Sequence, residues 1–244
     1  MDELTREIYG NIGTVSKIVF YLCAIASVGV FCWGIWRRRQ LWRIGRDTGE
    51  RIDWRASFDR LRSKVMTQRT VRNTKRKAGK YHAWLFYGFI VLFIGTCLIA
   101  VEEWGHRLFG GGEGNLFHKG LYFVIYEILL EFGGLLFVVG CAWFLVRLLR
   151  KGGGDTVGYR KEDLWLIGSL LVIGVSGFVL EGFRIIREAT PHPEISFVGW
   201  GCSLVLGVFG LDQENVSMPH FLTWWGHSLL VFAFIASLPF TRLM

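Results

Sequence analysis

No CxxC pair occurs in this chain, although it holds five cysteines: Cys23, Cys32, Cys97, Cys141 and Cys202. Without that spacing it offers neither an iron–sulfur ligand set nor a disulfide frame. Four of the five sit inside apolar runs, where a thiol behaves as a small buried hydrophobe. No CxxCH is present either, which excludes covalent c-type haem attachment. The opening, "MDELTREIYGN", lacks the positive charge that begins a signal peptide, so the first apolar run reads as a retained helix. No internal repeat of the kind that builds transporters is found.

Apolar residues are abundant. They make up 52% of the 244, and aromatics alone 16%. Several runs exceed the roughly 18 residues that mark a membrane-crossing helix. Five spans are predicted, at about Ile12–Trp36, Ala83–Trp104, Gly120–Val146, Leu164–Ile186 and Pro219–Phe240. The expected fold class is all-α: an integral membrane bundle of five transmembrane helices, with an amphipathic cytoplasmic segment and an outer interfacial helix.

Charge sets the expected orientation. Residues 37–80 carry sixteen Lys/Arg against four Asp/Glu, and such loops stay on the cytoplasmic side. The N-terminus is then outside and the C-terminus cytoplasmic, in the inner (cytoplasmic) membrane of a bacterium or archaeon. The stretch Glu181–Asn215, with two Lys/Arg and five Asp/Glu, falls outside as alternation requires. Ile195–Leu211 is long enough to tempt a sixth span. An interfacial or re-entrant helix on the outer face keeps the charge pattern consistent. Within the basic loop, Trp54, Phe58, Leu61 and Val65 recur every three or four residues, the period of an amphipathic helix. That helix is expected at the membrane surface, where it can also hold a protein partner. Nucleic acid is not an expected partner of a membrane loop.

Imidazole is costly in lipid unless something claims it. His82 opens the second span, His220 stands at the outer edge of the last, and His227 lies within it. His220 and His227 are about 10.5 Å apart along the helix axis and within about 20° of one face. Two imidazoles from different helices can grip an iron porphyrin non-covalently, so haem b, one or two, is the expected cofactor, with iron held through His82 and His227. The two lie at different depths and cannot easily share one iron, so two stacked sites are expected. His106 and His118 are the imidazoles available in the outer half. Gly88 and Gly95 form a stripe that admits either a macrocycle or another helix.

Other polar residues sit in or beside the spans. Glu127 and Glu131 share one face of the third span, either as a proton relay or as neutral acids bonded to a neighbouring helix. His118 and Lys119 can donate to quinone carbonyls at the outer side; otherwise Lys119 snorkels. Glu181 and Arg184 have the spacing of a helical ion pair.

From Lys80 onward the chain resembles a known family. "YHAWLFYGFIVLFIGTCLIAVEE", "LYFVIYEILLEFGGLL", "GFVLEGFRI" and "HFLTWWGHSLLVFAFIASLPFTRLM" are similar to cytochrome b subunits typified by the respiratory nitrate reductase gamma subunit. They are closer to the membrane domain of heterodisulfide reductase-related iron–sulfur oxidoreductases. The resemblance implies five spans and b-type haem between the second and fifth helices. His82 and His227 fall on its haem histidines, and His220 on a frequent one. It implies a further histidine just past Met244 as partner to His82. Either the polypeptide continues, often into a cytoplasmic iron–sulfur domain, or the inner haem is altered. Gamma subunits also carry a second-helix histidine where this chain has Val91, Leu92 and Phe93, and a lysine near the quinol site in a place similar to Lys119.

Residues 1–36 are thus expected to form the outer N-terminus and first span, 37–80 a basic cytoplasmic loop, and 81–244 a four-helix haem-binding membrane domain. The expected function is electron transfer between menaquinone or ubiquinone and a cytoplasmic iron–sulfur partner, subunit or fused domain, with no cluster in this chain. It is the electron-transfer part of an oxidoreductase complex rather than a complete enzyme. The alternatives are a redox-inert membrane anchor that docks such a partner, and, more weakly, a transporter using Glu127 and Glu131.

Overall fold

The computed structural model describes residues 9–45, 53–68, 71, 76–108, 118–150 and 161–241, leaving out the side chains of 76, 106–108 and 161. Seven α-helices and no strand occur among the described residues. They are α1 (Thr14–Trp42), α2 (Trp54–Arg60), α3 (Arg76–Leu108), α4 (Gly120–Arg150), α5 (Lys161–Glu188), α6 (Phe197–Val208) and α7 (Ser217–Ser237). A π-helical turn, Leu61–Met66, prolongs α2, and 3-10 turns at Pro193–Ser196 and Leu238–Phe240 precede α6 and end α7. Five of the helices, α1, α3, α4, α5 and α7, are long and apolar enough to cross a membrane. The shorter α6 falls within Ile195–Leu211, the stretch expected to form a short interfacial or re-entrant helix rather than a span, and is too short to cross a membrane.

The first spanning helix outruns its apolar core. α1 continues through Arg37–Arg39 to Trp42, because arginine is a good helix former and a cation suits a helix C-terminus. Arg38 has a second reason to be helical. Its Nε donates to the Pro239 carbonyl at 2.5 Å and an Nη to Thr241 at 2.8 Å. Those are carbonyls beyond the last turn of α7, which have no helical partner of their own. α1 and α7 therefore run side by side in one direction. Phe20 packs on Trp224 and Phe232, and the Ser27 hydroxyl donates to Phe232 O at 2.7 Å.

α3 packs on α4, α4 on α5, α5 on α7 and α7 on α1. Tyr21 of α1 meets Trp104 of α3 edge-on at 5.4 Å, and Leu85 and Leu92 of α3 share one apolar core with Phe234 of α7. Of the spanning windows, 33% is buried in α4 and 11% in α1, α3 and α7, so α4 is the hub.

Glycines set the closest approach. A Cβ on Gly88 would stand 2.5 Å from the Gly133 carbonyl oxygen and 2.7 Å from the Phe137 nitrogen, and one on Gly95 would strike Leu130. Across the seam, a Cβ on Gly140 would meet the Leu85 nitrogen at 2.8 Å. The stripe read from the sequence is thus spent on packing α3 against α4, the second of the two uses it allowed.

The cysteines form no disulfide. All five are free; Cys141 is buried in the core with Phe137, Leu166, Leu170 and Phe234, while Cys32 and Cys97 face outward.

Candidate functional site: imidazoles among the spans

His227 is the most firmly oriented of the candidate ligands. Its Nδ1 lies 2.8 Å from Ser176 Oγ on α5, and that hydroxyl lies 3.1 Å from the Ile173 carbonyl. A serine has one proton to give, and a backbone carbonyl can only accept. The hydroxyl either gives that proton to Ile173 and accepts from His227, or gives it to His227. The first arrangement puts the His227 proton on Nδ1 and leaves the Nε2 lone pair uncommitted, the form in which imidazole binds a metal. Gly177, next to Ser176, keeps space beside the ring, whose Cε1 would be 3.9 Å from a Cβ there.

His220 follows the same logic with a different neighbour. Asn11 Nδ2 donates to the Ser217 carbonyl at 2.8 Å, so its Oδ1 is the atom 2.6 Å from His220 Nδ1 and accepts that proton. His220 is buried. The two α7 histidines share a helical face by count, yet one is held from the segment before α1 and the other from α5.

His82 stands at the basic end of α3. Its Nδ1 is buried with no hydrogen-bond partner among the described residues, and its ring meets Phe144 edge-on at 6.2 Å. Three residues further, Leu85 packs on the apolar core, as does Leu92; from α7, Phe234 and Leu238 reach the same core. His82 thus sits about 4.5 Å to one side of Leu85, and His227 about 10.5 Å to the other side of Phe234. The core separates them, so one iron cannot take both. Among the described residues no three His, Cys, Asp or Glu side chains stand together as a metal-ligand group. What the two offer is an oriented ring on His227 and a buried, unpaired ring nitrogen on His82.

At the opposite end, between α3 and α4, Glu102 and His118 are both fully buried with Oε2 and Nδ1 3.8 Å apart. Tyr126 meets the His118 ring edge-on at 4.4 Å and donates its hydroxyl to the Gly95 carbonyl at 3.1 Å. Tyr122 lies 5.1 Å from the same ring. Lys119 is exposed. His106 falls on α3, but its side chain is outside the described residues.

The remaining acids hold α6. Glu131 accepts the Val198 amide, in the first turn of α6, at 2.5 Å. Glu127 accepts from Ser196 Oγ at 3.0 Å. A carboxylate at a helix N-terminus meets the unpaired amides and the positive end of the dipole. Arg184 then meets three acids: Glu181 in direct contact, Glu188 at 3.1 Å and Glu127 at 4.0 Å. The helical spacing of Glu181 and Arg184 is thus one part of a larger network, and Glu127 and Glu131 have neighbouring-helix partners.

Sequence reasoning passed over Ser176, Asn11 and Glu102. Glu102 had a signal, a carboxylate inside a predicted span; Ser176 and Asn11 had none that distinguished them from other small polar residues.

Fold and site together define a polytopic all-α membrane protein with oriented imidazoles set among its spans. No family model and no solved structure matches the chain. It is 30% identical over 242 residues to a curated protein of Syntrophomonas wolfei subsp. wolfei (strain DSM 2245B / Goettingen) named EtfAB:quinone oxidoreductase. The match covers 92% of this chain but 31% of that protein, so the chain spans under a third of its relative's length.

Proposed function

We propose that this chain is the membrane cytochrome b module of a quinone-linked electron-transfer system. The observation that carries it is the Ile173–Ser176–His227 chain, which orients an imidazole inside a membrane helix. The likeness to an EtfAB:quinone oxidoreductase over most of the chain supports quinone as one redox partner. A cytoplasmic iron–sulfur protein or fused domain is the other, docked at the basic end.

Haem b, when bound, supplies a one-electron iron couple. The protein's residues do the rest. His227 would hold the haem iron through Nε2, with its ring oriented by Ser176. His82 presents a second ligand at the basic end, and His220, held by Asn11, a third near the far end. The quinone head is placed at the far end of α3 and α4. There the His118–Glu102 pair can hold a proton beside Tyr122 and Tyr126, with Lys119 at the rim as a further donor.

The test is the dithionite-reduced minus oxidised spectrum of the purified chain in detergent, with a haem-to-protein ratio. Bands of b type that disappear in His227→Ala are expected. A colourless, folded preparation overturns the cytochrome and leaves the redox-inert anchor.

A further inference from the structure

The segment between the first two spans takes no part in that chemistry, yet it is built with care. α2 and the π-helical turn form one rod, Trp54–Met66. Asp53 caps its start by accepting the Ala56 amide at 3.0 Å, and Gln68 Nε2 closes its end on the Val65 carbonyl at 2.7 Å. At about 100° per residue, Trp54, Phe58, Leu61 and Val65 fall within roughly 60° of arc. Arg55 and Arg62 flank that stripe on one side and Lys64 on the other, while Asp59, Arg60 and Ser63 lie on the far side. Nothing among the described residues covers the stripe: Trp54 is 76% exposed, Phe58 64%, Leu61 51% and Val65 44%.

A rod of about a dozen residues is marginal in water on its own, so it needs a surface. The distribution of charge says which. Cations on both borders of an apolar stripe, with the acid on the far side, are the arrangement of a helix lying in a bilayer plane with its lysines and arginines reaching up to headgroups. Depth agrees. Tyr87 OH donates to the Met66 carbonyl at 2.6 Å, pinning the rod's end to α3. Tyr87 is four residues beyond Ala83, where the apolar part of α3 begins, about 6 Å into the span. Interfacial helices bury their apolar faces about 5–10 Å into the acyl boundary.

We propose that Trp54–Met66 is an in-plane anchor that docks on anionic phospholipid at the basic face of the membrane, held to α3 by the Tyr87 bond. Trp54, Phe58, Leu61 and Val65 enter the acyl region; Arg55, Arg62 and Lys64 bind headgroup phosphates. No part of this depends on haem or quinone.

The test is backbone amide exchange of residues 54–66 in the full chain, in nanodiscs of phosphatidylcholine alone and of phosphatidylcholine with phosphatidylglycerol. Stronger protection is expected in the anionic discs, declining as salt screens the charges. Each of Arg55, Arg62 and Lys64 changed to Gln should weaken docking by about fivefold. Phe58→Asp should lose protection in both lipids while amides inside α4 stay protected. Equal protection in both lipids and in salt, no protection in either, or protection only after a soluble protein partner is added each overturns the proposal. The last outcome would make the stripe a protein-docking surface.

Discussion

Ser176 Oγ lies 2.8 Å from His227 Nδ1 and 3.1 Å from the carbonyl of Ile173, so one hydroxyl ties the α7 imidazole to the α5 backbone. Ser176→Ala removes that hydroxyl and frees the ring to rotate and change tautomer. Haem should be retained about 10- to 100-fold less tightly, the usual cost of losing such a partner. The midpoint potential should rise, because an imidazole without an Nδ1 acceptor donates less to ferric iron. Ser176→Thr keeps the hydroxyl and should restore both. Redox titration and haem-retention measurements in detergent check this; an unmoved potential would reduce Ser176 to packing.

Glu131 meets the Val198 amide at 2.5 Å in the first turn of α6. Glu131→Gln keeps an acceptor oxygen and loses the charge, so it should destabilise by about 1 kcal/mol. Glu131→Ala also strands a buried amide and should cost about 1–3 kcal/mol more. Thermal unfolding in detergent reads both. Quinol oxidation separates the cap from the proton relay. Unchanged turnover in Glu131→Gln leaves the cap as the residue's role, and abolished turnover in a folded variant assigns the relay.

Gly88→Ala pushes a methyl group to within 2.5 Å of the Gly133 carbonyl oxygen, and that oxygen belongs to backbone with nowhere to go. Forcing α3 and α4 apart should cost about 1–3 kcal/mol. Gly168→Ala is the control: a Cβ there meets nothing within 4 Å, and helix propensity alone predicts a gain of about 0.5–1 kcal/mol. A Gly88→Ala variant as stable as Gly168→Ala would mean that the two helices are not packed this closely.

The spans were legible because a bilayer demands an unbroken apolar length, and that demand is written in consecutive residues. Their ends were less so. The helicity of Arg37–Trp42 depends on Arg38 finding the carbonyls of Pro239 and Thr241, two hundred residues away in the chain. Gly88 and Gly95 show a limit of another kind: a stripe of missing side chains has the same pattern for a helix or a cofactor, and only the approach of Gly133 decides. The histidines stood out because imidazole is rare in lipid. Ser176 did not, since a serine in a helix can satisfy itself on its own backbone, as Ser169 does. That α6 is capped by Glu131 from another helix is a long-range fact that no local spacing contains.

Arg184 holds the far end together. It is buried and meets Glu181 directly, Glu188 at 3.1 Å and Glu127 at 4.0 Å, while Arg187 takes a second oxygen of Glu188 at 2.6 Å. Removing one partner of a buried ion pair leaves charge without compensation, which costs about 3–5 kcal/mol. Arg184→Gln should therefore lower the unfolding temperature sharply and loosen α6, since Glu127, which accepts from Ser196, loses its cation. Glu181→Gln alone should cost less, because Glu188 and Glu127 still face the guanidinium. Combined with Arg184→Gln, it removes an uncompensated charge and should recover part of the loss. Thermal unfolding of the two single variants and the double variant gives the coupling. Simple additivity would show that Arg184 and Glu181 are not energetically paired.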